Sequence, residues 1–199
     1  MLNKNFISKV RKFALDNSEE DDIHGFLHTE RVLDLCLHIG KNLGANLLIL
    51  EIAALLHDIG RNNKRIKTSN KNHAELSSEI ASKFLDSYNF KISQEDFTNI
   101  IHTIRSHSFS NNSNPQTLEA QILSDADKLD ALGAIGLYRT IGFTVKNNGN
   151  IVDVINHLEE KILKLKDMLY LDLSKKIAEK RHKIILDFYN QIKSDVKVA

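Results

Sequence analysis

A histidine and an aspartate stand side by side in LLHDIG, residues 55–60, as His57 and Asp58. Leucines lead the chain to this pair, so the segment reads as a core helix that ends in an imidazole and a carboxylate. Burying an unpaired charge is expensive, so the pair needs partners that the local sequence does not supply. We therefore expect those partners elsewhere in the chain.

Histidines and acids also cluster in DDIHGFLHTERV (21–32), around His73, in IIHTIRSHSF (101–110) and in LSDADKLDALGAIG (123–136). His24 and His28 are four residues apart and would share a face of one helix. Asp125 and Asp127 are two apart, so only one of them is expected to face a common site.

Imidazole and carboxylate ligands together indicate a first-row divalent metal. They favour Mn²⁺, Fe²⁺, Co²⁺, Ni²⁺ or Zn²⁺ over Mg²⁺, which prefers oxygen ligands. Our first choice is Mn²⁺, with Mg²⁺ retained as an alternative. No organic cofactor is indicated by any motif.

The order of these residues resembles the signature of the HD-domain superfamily of metal-dependent phosphohydrolases, which are helical proteins. The segments DxxHGxxHxxRV, LLHDIG, HSFS (107–110), DADKLDALGAIG and HLEEKILKLKDMLY are similar to a subgroup of small, stand-alone bacterial members. The resemblance extends from about Asp22 to Tyr189. It implies four metal ligands, with Asp58 placed to bridge a second metal; they are His28, His57, Asp58 and Asp127.

Two further histidines match the positions that hold a second metal or contact phosphate in some members of the superfamily. They are His73 and His107, although each could equally be a helix-end or surface histidine. His102 lies five residues before His107 and would point elsewhere on one helix, so a structural role is favoured for it.

Departures from other branches of the superfamily narrow the implied activity. No GYP follows the HD pair, and nothing resembles the Glu-Asp pair of the alarmone hydrolases. In branches that cleave nucleoside monophosphates an acid follows one turn after the HD, whereas this chain has Arg61. The resemblance therefore argues against these three activities.

Basic residues surround the same motifs. The segment 61–72 carries Arg61, Lys64, Arg65, Lys67 and Lys71 with no acid, so it suits an anionic substrate or forms a solvated surface loop. We predict substrate binding by His24, Arg61 and Lys64.

Two further cations could act on the reacting phosphate. Arg31 and Lys128 would either bind phosphate or form ion pairs that orient the ligands. With Asp58 they are the candidate catalytic residues. Cys36 lies among leucines and reads as core, so no nucleophile motif competes with direct hydrolysis.

The composition excludes several classes of protein. The chain has 199 residues with 27 basic and 26 acidic side chains, a net charge of +1 that does not favour nucleic acid or an anionic membrane. Cys36 is the single cysteine, so an internal disulfide is impossible. The N-terminus has neither a signal peptide nor a spanning segment, which predicts a cytoplasmic protein. We expect a monomer or a homodimer.

The elements that position these residues are predicted to be helices. One proline, eight glycines and apolar residues at three- and four-residue steps predict an all-α bundle. We expect a single HD domain over 1–199, with a motif core at about 22–130 and C-terminal helices at about 131–194. The predicted helices span 3–16, 24–42, 45–57, 72–87, 93–106, 117–129, 131–146 and 151 onward, with a break near Asp172.

The sequence thus predicts a metal-dependent phosphohydrolase that acts on nucleotides or similar small phosphate compounds. The expected reaction is attack of metal-bound hydroxide, either in a nucleotide phosphohydrolase or in a pyrophosphohydrolase that releases pyrophosphate from nucleoside triphosphates. The alternative is a catalytically inactive regulatory module that binds a nucleotide or metal.

Overall fold

The computed structural model describes residues 4–62, 71–88, 92–108 and 113–198. Its α-helices are α1 (Lys4–Asp16), α2 (Phe26–Leu43), α3 (Leu47–Leu56), α4 (His73–Ser87), α5 (Gln94–Ser106), α6 (Leu118–Asp130), α7 (Gly133–Lys146), α8 (Ile151–Glu160) and α9 (Asp172–Val198), with a 3₁₀ helix (Ile162–Met168) before α9. Within these ranges the regular structure is helical, apart from one isolated β-bridge between Glu19 and Gly25. The all-α prediction is confirmed.

The chain divides into two compact units, Met1–Ser124 and Asp125–Ala199. The boundary falls inside α6, so one continuous helix contributes residues to both units. A single domain over residues 1–199 stays a prediction. Among the described residues, no helix combines the length and the apolar character that crossing a bilayer would require.

Helix α3 is the centre of the first unit. Its sequence LLILEIAALL is apolar on nearly every face, and it packs against α1, α2, α4 and α5. Asn46 caps its N-terminus by accepting hydrogen bonds from the backbone N–H groups of Leu48 and Ile49, at 3.1 and 3.4 Å. The helix ends at Leu56, and the HD pair follows directly from this buried segment.

Capping side chains also define α4 and α5. Asn72 and Glu75 form a capping box at the start of α4, and Ser93 caps α5 by accepting from Asp96 N. The cap at Asn72 makes His73 the first residue of α4, and His107 immediately follows the last residue of α5. These two histidines lie at helix ends, as the HD pair does.

The second unit contains α7, α8, the 3₁₀ helix and α9, which pack against one another. The sequence predicted one helix from Ile151 to a break near Asp172. The break agrees with the start of α9 at Asp172, but the continuous helix before it is wrong because α8 already ends at Glu160. Both carboxylate oxygens of Asp125 accept backbone N–H groups, of Tyr170 and Leu171, at 2.9 Å each. These two N–H groups are therefore not available to a continuing helix.

Candidate metal centre

The carboxylate of Asp58 lies among four imidazole rings of the first unit. Its Oδ2 is 3.6 Å from Nε2 of His28 and 3.5 Å from Nε2 of His57. Its Oδ1 is 3.6 Å from Nε2 of His73 and 3.5 Å from Nε2 of His107. The structure thus brings two histidines to each oxygen of one buried carboxylate.

His57 and His107 are held by the same device. Each directly follows a helix, and its Nδ1 donates to the carbonyl oxygen three residues earlier, of Ala54 and Ile104, at 2.7 Å in both cases. A carbonyl only accepts, so Nδ1 carries the proton and, in the neutral ring, Nε2 keeps its lone pair. Both Nε2 atoms can therefore act as ligand atoms near Asp58.

Several observations indicate that this cluster is suited to binding a divalent metal ion. Oδ1 of Asp58 and Nε2 of His107 are buried and have no hydrogen-bond partner among the residues described here. Nε2 of His28 and Nε2 of His57 are 3.3 Å apart. Two atoms that bind one ion at about 2.1 Å lie about 3 to 3.5 Å apart, so this spacing suits a shared ion. Imidazole with carboxylate is also a donor set that first-row metals accept.

Arg61 is the side chain that neutralises Asp58. Its Nε donates to Oδ2 of Asp58 at 2.5 Å, and its Nη2 lies 3.2 Å from Nε2 of His73. Burial raises the pKa of the Asp58 carboxyl, but the charge of Arg61 and the nearby His57 outweigh it and hold the pKa well below its usual range. Asp58 is therefore an anion at neutral pH.

The turn before α2 positions His28. Oδ1 of Asp21 accepts the N–H groups of Ile23 and His24, at 2.9 and 2.8 Å, and Gly25 is the N-cap of α2. A Cβ at Gly25 would lie 1.8 Å from the Asp21 carbonyl oxygen, so only glycine fits. The expectation that His24 and His28 share a helix face is wrong, because this turn holds His24 outside α2.

The turn after the HD pair brings α4 close. Gly60 N donates to Ser77 Oγ at 2.9 Å, and a Cβ at Gly60 would lie 2.6 Å from the His73 carbonyl oxygen. Because glycine has no Cβ, the backbone of this turn lies directly against the first turn of α4. This close approach carries His73 to the Asp58 carboxylate.

Four further residues were predicted to contribute to the site. Arg31 is half-buried on α2, and Lys64 lies outside the described residues. In the second unit, Asp127 is half-buried on α6 and Lys128 is buried, with Nζ 5.5 Å from the Tyr170 ring centroid. Burial lowers the pKa of Lys128, and the Asp127 carboxylate partly offsets this. The metal role of Asp127 and the phosphate roles of Arg31 and Lys128 stay predictions.

Asp125 and His102, the alternatives to Asp127 and His107, both have hydrogen-bond partners in the structure. Both carboxylate oxygens of Asp125 accept hydrogen bonds from backbone N–H groups. Asp127 is therefore the acid of this pair to test as a metal ligand. Nε2 of His102 accepts a hydrogen bond from Gln116 N at 3.0 Å.

Sequence reasoning missed two supporting features. The first is Ser77, whose hydroxyl accepts the Gly60 N–H group, and the second is the contact of Arg61 with both Asp58 and His73. The motif did carry a signal for the first, since a glycine two residues after the HD pair indicates a close backbone approach.

Comparison with known proteins agrees with the geometry. The HD domain family model matches residues 25–132. YpgQ of Bacillus subtilis (strain 168) is 33% identical in an alignment of 196 residues that covers 94% of this chain and 90% of YpgQ.

Solved structures align over nearly the whole chain. The crystal structure of YpgQ in complex with ADP aligns with a TM-score of 0.77 and 29% identity, over 98% of this chain and 97% of that one. An HD-superfamily hydrolase from Bacillus thuringiensis aligns with a TM-score of 0.73 and 28% identity, over 98% of this chain and 99% of that one. The histidine and aspartate motifs, the helical fold and these similarities agree, and the chain belongs to the HD domain family.

Proposed function

We propose that this chain is a metal-dependent phosphohydrolase that acts on nucleotides or similar small phosphate compounds. The observation that carries the proposal is the arrangement of four imidazole Nε2 atoms around the buried Asp58 carboxylate, two near each oxygen. Membership of the HD domain family supports it, as does the complex of the relative YpgQ with ADP.

The proposed ligands divide between the two oxygens of Asp58. They are His28 and His57 near Oδ2, with His73 and His107 near Oδ1. Asp127 enters this set through the sequence resemblance. When bound, a divalent cation polarises a phosphoryl oxygen and lowers the pKa of water, with Mn²⁺ our first choice of metal.

Side chains of the protein prepare the site for an anionic substrate. The Nδ1 hydrogen bonds of His57 and His107 orient both rings before any ligand binds. The low pKa of Asp58 keeps it charged, and its burial limits screening by water. Arg31 and Lys128 are proposed to offset the charge that develops on the phosphoryl oxygens.

The proposed substrates are nucleoside triphosphates, cleaved with release of pyrophosphate. Arg61 supports this proposal because it places a guanidinium at the centre where monophosphate-cleaving branches have an acid. The segment 61–72 carries four further cations and no acid, a local excess of positive charge that favours a polyphosphate.

The test is a product assay on the purified chain. ATP, ADP and AMP are incubated with Mn²⁺, Co²⁺, Ni²⁺ or Mg²⁺, and phosphate and pyrophosphate are measured separately. We expect hydrolysis with at least one metal and a loss of at least about a hundredfold in Asp58→Asn, which removes charge from the ligand with little change of shape.

The control for folding is the far-ultraviolet circular dichroism of Asp58→Asn, which should match wild type. A wild-type protein that binds Mn²⁺ and nucleotide but hydrolyses none of the panel would favour the regulatory module. Equal activity in Asp58→Asn at saturating metal would refute the role of the cluster.

A further inference from the structure

Arg61 covers two of the proposed ligand atoms. Its Nε donates to Oδ2 of Asp58 at 2.5 Å, and its Nη2 lies 3.2 Å from Nε2 of His73. A guanidinium has no acceptor, so both contacts use lone pairs of Asp58 and His73. Oδ2 lies on the side of His28 and His57, whereas His73 lies near Oδ1. One arginine therefore reaches ligands on both sides of the carboxylate.

The contact with His73 is incompatible with metal binding at the same atom, because the acceptor nitrogen of a neutral imidazole has a single lone pair. A lone pair that accepts a hydrogen bond from Arg61 is not available to a metal ion. A guanidinium and a divalent cation on the same oxygen would also repel each other in a site that water screens poorly. Arg61 and a metal therefore compete for the lone pair of His73, and their like charges oppose each other at Oδ2 of Asp58.

The exposure of the two partners shows which one can move. The side chain of Asp58 is 4% exposed, whereas that of Arg61 is 25% exposed and so has access to water. A buried carboxylate without a counter-ion is strongly destabilising. Asp58 therefore needs a cation at all times, and Arg61 is the cation that can leave.

We propose that Arg61 is an exchangeable counter-ion of the metal centre. It pairs with Asp58 in the metal-free protein, gives up the carboxylate and His73 when divalent metal binds, and then contacts the phosphates of the substrate. The last step rests on the proposed function, whereas the exchange itself concerns metal binding alone.

A permanent structural role for Arg61 predicts the opposite result. If Arg61 orients Asp58 for the metal and remains in place, its removal should weaken metal binding. If Arg61 competes with the metal, its removal should strengthen metal binding and destabilise the metal-free protein. The direction of the change in affinity separates the two roles.

The experiment is calorimetric titration of the metal-free full chain with Mn²⁺ in the absence of nucleotide. We expect Arg61→Gln to lower the Kd for Mn²⁺ by about tenfold or more. Arg11→Gln is the matched control, because it removes the same charge from an exposed ion pair with Glu30 and should leave the Kd within about twofold. By thermal melting, metal-free Arg61→Gln should unfold at a lower temperature than metal-free wild type. Mn²⁺ should raise the Tm of Arg61→Gln by more than it raises the Tm of wild type.

A second variant covers the case in which Arg61→Gln does not fold without metal. Lysine keeps the charge but cannot reach Asp58 and His73 together, so Arg61→Lys should bind Mn²⁺ with an affinity between wild type and Arg61→Gln.

With Mn²⁺ saturating, Arg61→Gln should raise the KM for a nucleoside triphosphate about tenfold, with a smaller effect on kcat.

The outcomes separate this inference from the proposed function. If wild type binds Mn²⁺ and hydrolyses nucleotides but both Arg61 variants bind Mn²⁺ equally or more weakly, the exchange is refuted and the function stands. A wild-type chain that binds no Mn²⁺ would overturn both. If tighter Mn²⁺ binding occurs without hydrolysis, the exchange stands and the enzymatic function fails.

Discussion

At the scale of single residues, the centre depends on the two oxygens of Asp58 being different. Oδ2 faces His28 and His57, while Oδ1 faces His73 and His107. Each pair of rings is thus associated with its own oxygen, so substitutions should remove one cation without removing the other. This separation can be measured as metal stoichiometry.

We predict that His107→Ala lowers the bound Mn²⁺ from two ions to one per chain. The variant removes an Nε2 atom 3.5 Å from Oδ1 and leaves the side of His28 and His57 intact. Metal content after dialysis, measured by mass spectrometry, checks the result. His102→Ala is the matched control on α5, because that ring accepts from Gln116 N and should leave the stoichiometry unchanged. Retention of two ions in His107→Ala would contradict a second metal at Oδ1.

At the scale of the elements, two glycines allow backbone segments to meet where side chains would collide. Gly25 brings the turn at 19–21 against the start of α2, and Gly60 brings the HD turn against α4. The helices that carry His28 and His73 are therefore placed by contacts of main chain with main chain. Such contacts tolerate little displacement.

We predict that Gly60→Ala destabilises the protein by about 1 to 3 kcal/mol and weakens the second Mn²⁺ site. Its Cβ would lie 2.6 Å from both the His73 carbonyl oxygen and Ser77 N, so α4 must move away from Asp58. Urea unfolding and Mn²⁺ titration measure the two effects. Ser77→Ala removes the hydroxyl that accepts from Gly60 without adding bulk, so it should cost only about 1 kcal/mol and retain both ions. Equal metal binding in Gly60→Ala would show that α4 accommodates the methyl group.

Packing between α7 and α8 predicts a pH dependence of stability. Burial lowers the pKa of His157, and the charge of Lys161 adds to this effect. The ring contacts Thr144, with Nδ1 3.5 Å from its hydroxyl oxygen. Because the folded-state pKa lies below the ordinary value of 6.5, the unfolded chain takes up the proton first as the pH falls. His157 should therefore reduce stability as the pH falls through that value.

The measurement is the free energy of unfolding of wild type and His157→Gln between pH 7.5 and 5. The glutamine variant cannot take up this proton, so its stability should decline less steeply on acidification, and the two curves should converge or cross. Parallel curves over this range would mean that His157 titrates alike in the folded and unfolded chain.

At the scale of the whole molecule, the net charge is close to zero, but basic residues are concentrated in one segment of the chain. The net charge is +1, yet segment 61–72 carries five cations and no acid. Long-range attraction of polyanions is therefore weak, and selection among substrates must depend on contacts at the centre. Such contacts would discriminate between substrates by the number of phosphates that each substrate carries.

We predict that a nucleoside triphosphate is cleaved at least about tenfold better, in kcat/KM, than the matching monophosphate. Each added charge-assisted contact to phosphate contributes roughly 1.5 to 3 kcal/mol in a desolvated cleft. Replacing Lys64 and Lys67 together by glutamine should lower this ratio, and an unchanged ratio would assign segment 61–72 to the solvated surface. A wild-type ratio below one would refute the triphosphate preference.

The sequence alone determined the helices and the kinds of residue at the centre. Apolar spacing and capping residues act within a few positions of the chain, so the predicted helices at 72–87 and 93–106 agree closely with α4 and α5. The HD motifs likewise identified the family, because they name residue types at set spacings. Local patterns were insufficient between Ile151 and Asp172, where α8 ends at Glu160 and a 3₁₀ helix follows in place of one continuous helix.

Only the tertiary structure decided which atoms meet. His28, Asp58, His73 and His107 are separated by up to 79 positions, and their convergence depends on helix packing and on turns such as Gly60. The pairing of Arg61 with Asp58 also had no local signature, since the same spacing would allow the arginine to face solvent. Proximity between distant residues is set by the packing of whole elements, and this information is not contained in the periodicity of any one segment.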